Sequence, residues 1–305
     1  MERQVARDIS YAFSARSRGG RALIRTVENA TGRLRLIRRA DGYHQAVAGG
    51  RDFWEEMVSR YGLSLEIAGG SLDLIPQDGP LVMVANHPYG ILDGLMMGYI
   101  LSRLRSGDFR ILANSVFRNS PELDRVVLPI DFGESRAAVE TNLATRAEAL
   151  RYLGQGGAIG VFPGGTVSTS AKPFSRPLDP VWRAFTAKMI QKSGATVIPI
   201  FFEGANSRLF QIASHLHTTL RLALLIQEFR RRVDEPVRVV IGAPISRTDM
   251  SPYGGDQKAL MDFLRARTYA LSPGMLDSRA YGFEFEAKHK ANNRRAEGDV
   301  GRDFR

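Results

Sequence analysis

The run Leu81-Val82-Met83-Val84-Ala85-Asn86-His87-Pro88-Tyr89-Gly90-Ile91-Leu92-Asp93 divides into three parts. Leu81 to Val84 is a short apolar run bounded by turn formers, which reads as a buried strand. Asn86 to Gly90 reads as a turn. Gly94 to Leu101 reads as the start of a helix. That hand-over puts His87 where a strand ends and Asp93 at or near the first helical turn. In α/β sheets this edge is where ligands bind.

A histidine there suits general-base chemistry near neutral pH. A carboxylate on its other ring nitrogen would fix the tautomer and stabilise the imidazolium as it forms, which is triad logic without the serine. An alcohol deprotonated in this way can attack an activated acyl group. The same residues also fit a plain strand–turn–helix in which Asp93 caps the helix and His87 decorates the turn.

Outward from this stretch, strands and helices alternate. Leu63 to Ile67 and Leu72 to Ile75 flank Gly69-Gly70 and read as a β-hairpin. Further strands are expected at Arg110 to Ala113, Val126 to Ile130, Ala158 to Phe162, Thr196 to Phe202 and Val237 to Ile241. Helices are expected at 45–61, near Phe117 to Arg125, from Ser135 to Leu153, from Asp179 to Lys192, over 208–232 and over 256–271. The stripe Phe53, Trp54, Met57 and Tyr61 favours core packing over a lipid anchor. This alternation implies an α/β domain with a mostly parallel or mixed central sheet flanked by helices. Residues 1–62 read as an N-terminal basic helical segment, 63–272 as the main domain, and 273–305 as a partly disordered extension.

The chain has 305 residues and a formal net charge of +10. That length suffices for one large domain or two modest ones. With no cysteine, disulfides, thiolate metal sites and a cysteine nucleophile are excluded. Arginines crowd residues 1–40, where only Glu2, Asp8 and Glu28 oppose them. Such a segment suits an anionic partner or is a solvated arm. Leu34 to Arg39 has the composition of a surface-lying membrane segment. No zinc-finger or RNA-recognition signature appears. No apolar run reaches the roughly 18–20 residues of a membrane span, and no secretory leader is visible. His215 and His217 point to different helix faces, and His44 and His289 have no partner pattern, so no metal site is expected.

Three more stretches carry chemistry. Val161-Phe162-Pro163-Gly164-Gly165-Thr166-Val167-Ser168-Thr169-Ser170, followed by Lys172, offers amides and hydroxyls that can cradle an oxyanion or phosphate. It equally fits a polar turn after a strand. Val197 to Gly204 reads as a buried strand with a proline inside it. Val126 to Asp131 is preceded by Arg118 and Arg125, either of which can grip a phosphate or carboxylate.

Taken in order, these four stretches resemble the motifs of the glycerolipid acyltransferase superfamily, which includes lysophosphatidate acyltransferases. Asn86-His87 to Asp93 is similar to the first motif, Leu128 to Asp131 falls at the second, Phe162 to Thr166 is similar to the third, and Ile198-Pro199-Ile200 to the fourth. The resemblance covers about 63–245. Five residues separate His87 and Asp93 where the family usually has four. Gly164 and Val167 stand where the third motif usually has Glu and Arg. These departures, with Phe202 to Phe210, place the chain nearest the hemolysin-type and ornithine-lipid acyltransferase branch, and glycerol 3-phosphate fits poorly as acceptor.

The resemblance implies transfer of a fatty acyl group from acyl-CoA or acyl carrier protein to a lysolipid, with no further cofactor. His87 would be the base and Asp93 its orienting partner. Asn86, Arg118, Arg125, Phe162, Pro163, Gly164, Gly165, Thr166, Ser168 and Lys172 would bind substrate, with Ser168 or Thr169 assisting at the acyl oxygen. The expected setting is the cytoplasmic, inner face of an anionic membrane, without nucleic acid. A non-catalytic lipid- or acyl-carrier-binding module on the same fold is the rival reading.

Overall fold

A computed structural model describes residues 10–12, 15, 17–114, 121–131, 135–277 and 279–285. The strands are β1 (Ser64–Gly69), β2 (Leu81–Ala85), β3 (Arg110–Asn114), β4 (Val127–Ile130), β5 (Ala158–Val161), β6 (Thr169–Ser170), β7 (Pro177–Leu178), β8 (Thr196–Phe202) and β9 (Pro236–Ile241). The helices are α1 (Arg18–Thr31), α2 (Arg33–Ala40), α3 (Tyr43–Ala48), α4 (Phe53–Arg60), α5 (Ile91–Leu104), α6 (Pro121–Val126), α7 (Arg136–Gly154), α8 (Ala184–Ser193), α9 (Arg208–Leu216), α10 (Thr218–Arg230), α11 (Arg247–Met250) and α12 (Gln257–Tyr269).

Seven strands form one mixed sheet in the order β1-β9-β8-β2-β5-β3-β4. β2 lies parallel between β5 and β8, and β3 and β4 continue parallel outward. β9 meets β8 antiparallel and carries β1 parallel to itself. β2 is buried at every position. A central strand covered on both faces has no reason to alternate, which is why Leu81 to Ala85 is uniformly apolar. The connections after β2 and β5 leave from one edge of the sheet, so the His87 and Phe162 stretches become neighbours.

Helices cover both faces. Ile24, Leu36, Tyr43 and Trp54 lie in one apolar core with Leu81, Met83 and Ile198, so α1 to α4 pack onto the sheet. Leu36 and Ala40 are buried, Arg39 is paired with Asp234, and α2 is a packed helix rather than a loose arm. Val82, Val84, Ile159 and Val197 face a second core built with α8 and α12.

Local reading fails at four places. Leu72–Leu74 is a 3-10 turn started by the Ser71 side chain, and β1 pairs with distant β9, so the expected hairpin is absent. The 45–61 helix is broken at Gly49-Gly50 into α3 and α4. The 208–232 helix is broken at His217, which is extended and whose ring nitrogen caps Thr219 N. Asp179 stays outside α8 because Pro180 follows it and disfavours helical geometry. The start of the helix expected near Phe117 and the tail from Ala291 lie outside the described residues, whereas Ser135 caps α7 as expected.

Gly98 in α5 faces Trp54 of α4, and a methyl group there would overlap the indole ring. Gly98→Ala should therefore destabilise the fold by roughly 1–3 kcal/mol, read as a lower denaturant midpoint with an unchanged slope.

Candidate active site

β2 ends at Ala85, and the next residue continues its ladder with a side chain. Asn86 Nδ2 donates to Phe202 O at 2.9 Å, and Phe202 N donates to Asn86 Oδ1 at 2.7 Å. Both polar ends of this buried amide are thus used to tie β2 to β8. Asn86 is a structural clamp between the two strands.

His87 follows, with its ring stacked on Phe162 at 4.3 Å between centroids. Its Nδ1 stands 2.9 Å from Asp93 Oδ2. Its Nε2 has no hydrogen-bond partner among the described residues. Gly90 adopts φ 98° and ψ −115° just before α5, a region closed to most side chains. This kink brings the amides of Tyr89 and Gly90 onto Asp93 Oδ2 at 2.8 and 2.9 Å. Asp93 is fully buried, and burial pushes its carboxyl above the usual range, while His87 and the two amides pull it back down. Both simple readings of Asp93 therefore hold at once: it closes the helix start and it faces the imidazole.

The Phe162–Thr166 loop leaves β5 beside this pair. Gly165 has φ 69° and its N–H donates to Phe162 O at 3.0 Å, so that amide is already used within the turn. The amides of Gly164 and Thr166 have no partner among the described residues. Pro163 O accepts from Arg183 N at 2.9 Å. Phe162 thus lies against the His87 ring, while Gly165 shapes the turn.

Ser168 and Thr169 are not at the acyl oxygen. Ser168 is buried, its N–H donates to His87 O at 2.7 Å, and its hydroxyl donates to Asp179 Oδ1. Thr169 Oγ1 donates to Val167 O and accepts from Arg221. Lys172 is exposed in the β6–β7 turn. Arg125 is exposed just before β4, beside Gly107, on the amino-end edge of the parallel strands, opposite His87. Arg118 lies outside the described residues. So Asn86 and Ser168 are bonded within the scaffold, Arg125 stands on the opposite edge from His87, and Lys172 is on the surface.

Two residues that local reading missed organise the site. Asp179 Oδ1 accepts from His87 N at 3.2 Å and from Ser168, and its Oδ2 accepts from Trp182 Nε1 at 2.9 Å. Arg221 is buried with no carboxylate paired to it among the described residues. It donates to Thr166 Oγ1, Val167 O, Thr169 Oγ1 and Ser214 Oγ, and its guanidinium lies over the Phe210 and Phe285 rings. Burial lowers its pKa to about 9, so it stays a cation at neutral pH. The only sequence signal for it is a charge in the mostly apolar face of a helix.

A family model described as Acyltransferase matches residues 44–278. The chain belongs to the acyltransferase family. A lyso-glycine lipid O-acyltransferase from Phocaeicola vulgatus is 29% identical over 208 residues, 64% of this chain and 69% of that protein. One of the same name from Bacteroides thetaiotaomicron is 26% identical over 208 residues, 64% and 71% of the two chains. The crystal structure of the 1-acyl-sn-glycerophosphate acyltransferase PlsC from Thermotoga maritima is a distant likeness, with TM-score 0.45, 16% identity and 87% of each chain covered. Among the described residues of this acyltransferase, no cluster of metal-ligating side chains occurs and no helix is long and apolar enough to cross a membrane.

Arg221→Met would leave the Thr166–Thr169 loop without its four-pronged donor. Turnover should fall on the order of 10²-fold from a displacement of about 1 Å. Arg221→Lys should recover only part, because an ammonium lacks the planar fork. Steady-state acyl transfer alongside thermal melts checks both.

Proposed function

We propose that this acyltransferase moves a fatty acyl group from a thioester, acyl-CoA or acyl carrier protein, to the hydroxyl of a lysolipid. The observation that carries the reading is the 2.9 Å approach of His87 Nδ1 to Asp93 Oδ2, beside the Phe162–Thr166 loop. With Nδ1 turned to the carboxylate, Nε2 is the nitrogen left for the acceptor hydroxyl.

The reaction then runs without a covalent enzyme intermediate. Nε2 takes the hydroxyl proton as the oxygen attacks the thioester carbonyl. Asp93 stabilises the imidazolium. The carbonyl oxygen gathers charge near the Gly164 and Thr166 amides. The C–S bond breaks, the proton passes to the departing thiolate, and an ester and a free thiol result. A positioned base contributes typically about 10²–10⁴-fold, and an oxyanion donor on the order of 10²–10³-fold.

Both curated relatives are named for lyso-glycine lipids, and the third motif lacks the charges associated with a glycerol phosphate. The acceptor in this reading is a lyso-aminolipid rather than lysophosphatidate. The site works at the inner face of an anionic membrane. The non-catalytic rival has no use for a buried carboxylate held against an imidazole.

His87→Ala should abolish nearly all thiol release from acyl thioester plus lysolipid while the fold survives; an undiminished rate would end the proposal. Mass spectrometry with a panel of acceptors should show lyso-aminolipids acylated in preference to lysophosphatidate, and the reverse order would refute that choice.

Asp93→Asn should reduce turnover on the order of 10²–10⁴-fold. Its stability should move the other way. A carboxyl whose folded pKa lies above its unfolded value costs stability once pH rises through the folded value. The melting temperature of Asp93→Asn relative to wild type should therefore increase as pH is raised. A difference that shrinks with pH would contradict the assignment.

A further inference from the structure

β6 begins directly after Ser168, whose amide is bonded to His87 O, and the β6–β7 turn projects outward from there. Its tip residue Phe174 is 77% exposed. Six residues of chain reach at most about 20 Å, so the tip stands no farther than that from Ser168. Arg208 at the start of α9 donates to Phe174 O and Ser175 O at 3.1 and 3.0 Å. Arg176 donates to Met275 O at 2.9 Å. These bonds join three segments that are distant in sequence.

Each segment presents a large apolar side chain to solvent. Met275 is 98% exposed, and Leu209 and Leu216 of α9 are 52% and 70% exposed. Leu209 and Leu216 are seven residues apart and share one helix face, while Phe210 and Ala213 occupy the buried side. Single exposed apolar residues are ordinary on any protein, but a joined set rimmed by cations marks an interaction surface.

The charge around it has one sign. The stretches 164–178, 205–227 and 269–276 contain no Asp or Glu. Lys172, Arg176 and Arg208 are exposed and have no carboxylate partner among the described residues. Their aliphatic stems can lie along an apolar layer while the charged ends remain in a polar one. A protein groove would have little to match this pattern, whereas an anionic headgroup layer over acyl chains matches both halves of it.

We infer that the face formed by the β6–β7 turn, the outer side of α9 and Met275 is the surface by which the chain docks on an anionic lipid bilayer, with Phe174 and Leu216 entering the acyl boundary and Lys172, Arg176 and Arg208 meeting headgroup phosphates. It rests on the reading above only for a bilayer-borne acceptor. The inference does not depend on the basic N-terminal helices, where Arg39 is bound to Asp234 and Leu36 and Ala40 are buried. The docking face adjoins the third-motif loop, so a lipid drawn from the bilayer has a short path to His87.

The test is flotation of the full chain with vesicles of phosphatidylcholine alone and of phosphatidylcholine mixed with phosphatidylglycerol. Wild type should float with the mixed vesicles, and added salt should weaken it. Lys172→Gln should lower binding about fivefold, and Phe174→Ser with Leu216→Ser by roughly tenfold or more, without a change in melting temperature.

Equal flotation on both vesicle types, or wild-type flotation by the double variant, would overturn the inference. So would a dimer in the absence of vesicles that the double variant makes monomeric, since the face would then join two copies. Transfer to detergent-dispersed acceptor separates the two readings. A chain that floats as described yet acylates no lysolipid keeps the docking face and loses the proposed reaction. A chain that acylates dispersed lysolipid and does not float keeps the reaction and loses the docking face.

Discussion

One buried carboxylate holds the active-site edge together. Asp179 accepts from the main chain of His87, the hydroxyl of Ser168 and the indole of Trp182. Its own N–H donates to Tyr269 Oη at 2.8 Å, and its carbonyl accepts from Arg265 and from Gly282 N. One residue thus fastens the loop after β2, the loop after β5, α12 and the C-terminal segment. Both carboxylate oxygens and both main-chain groups are satisfied, and a fully satisfied buried network is what gives such a joint a single geometry.

Around that joint, charge is buried on purpose-built partners. Asp93 is paired with an imidazole and two amides, Arg221 with three hydroxyls and a carbonyl, and Glu28 with Ser10 and the amide of Tyr11. None of these is a simple surface ion pair. Burial raises the carboxyl pKa of Asp93 and of Glu28 and lowers the guanidinium pKa of Arg221. Each costs folding free energy in its charged form. The Asp93 cost has a direct chemical counterpart, because a carboxylate screened from water acts more strongly on a neighbouring imidazole.

The N- and C-terminal segments are drawn into the same edge. Tyr11 lies against Gly90, held there by Glu28 of α1. Phe283 N donates to Thr169 O, Glu284 pairs with Arg183, and Phe285 covers Arg221. Residues 279–285 therefore belong to the wall of the site, although composition alone marks this region only as polar. The helix faces left uncovered, on α9 and at the β6–β7 turn, border the same loop. Packing closes the site on one side and leaves an apolar, cationic surface on the other.

The strand–turn–helix that presents His87 and Asp93, the α/β alternation and the motif order that marks the family are all legible in the residues alone. These are local: an apolar period, a turn glycine and a six-residue separation are all contained in one short stretch. Three placements needed the folded chain: Asn86 clamps a strand 116 residues away, Asp179 meets His87 across 92 residues, and Arg125 stands on the far edge of the sheet. The expected hairpin at Gly69-Gly70 and the unbroken helix at 208–232 failed for the same reason. Local preference there was overridden by a distant strand, and by a histidine side chain that caps a new helix. A residue's type restricts what it can bond to, but which partner it finds depends on strand order and helix packing, and those are set by the whole core.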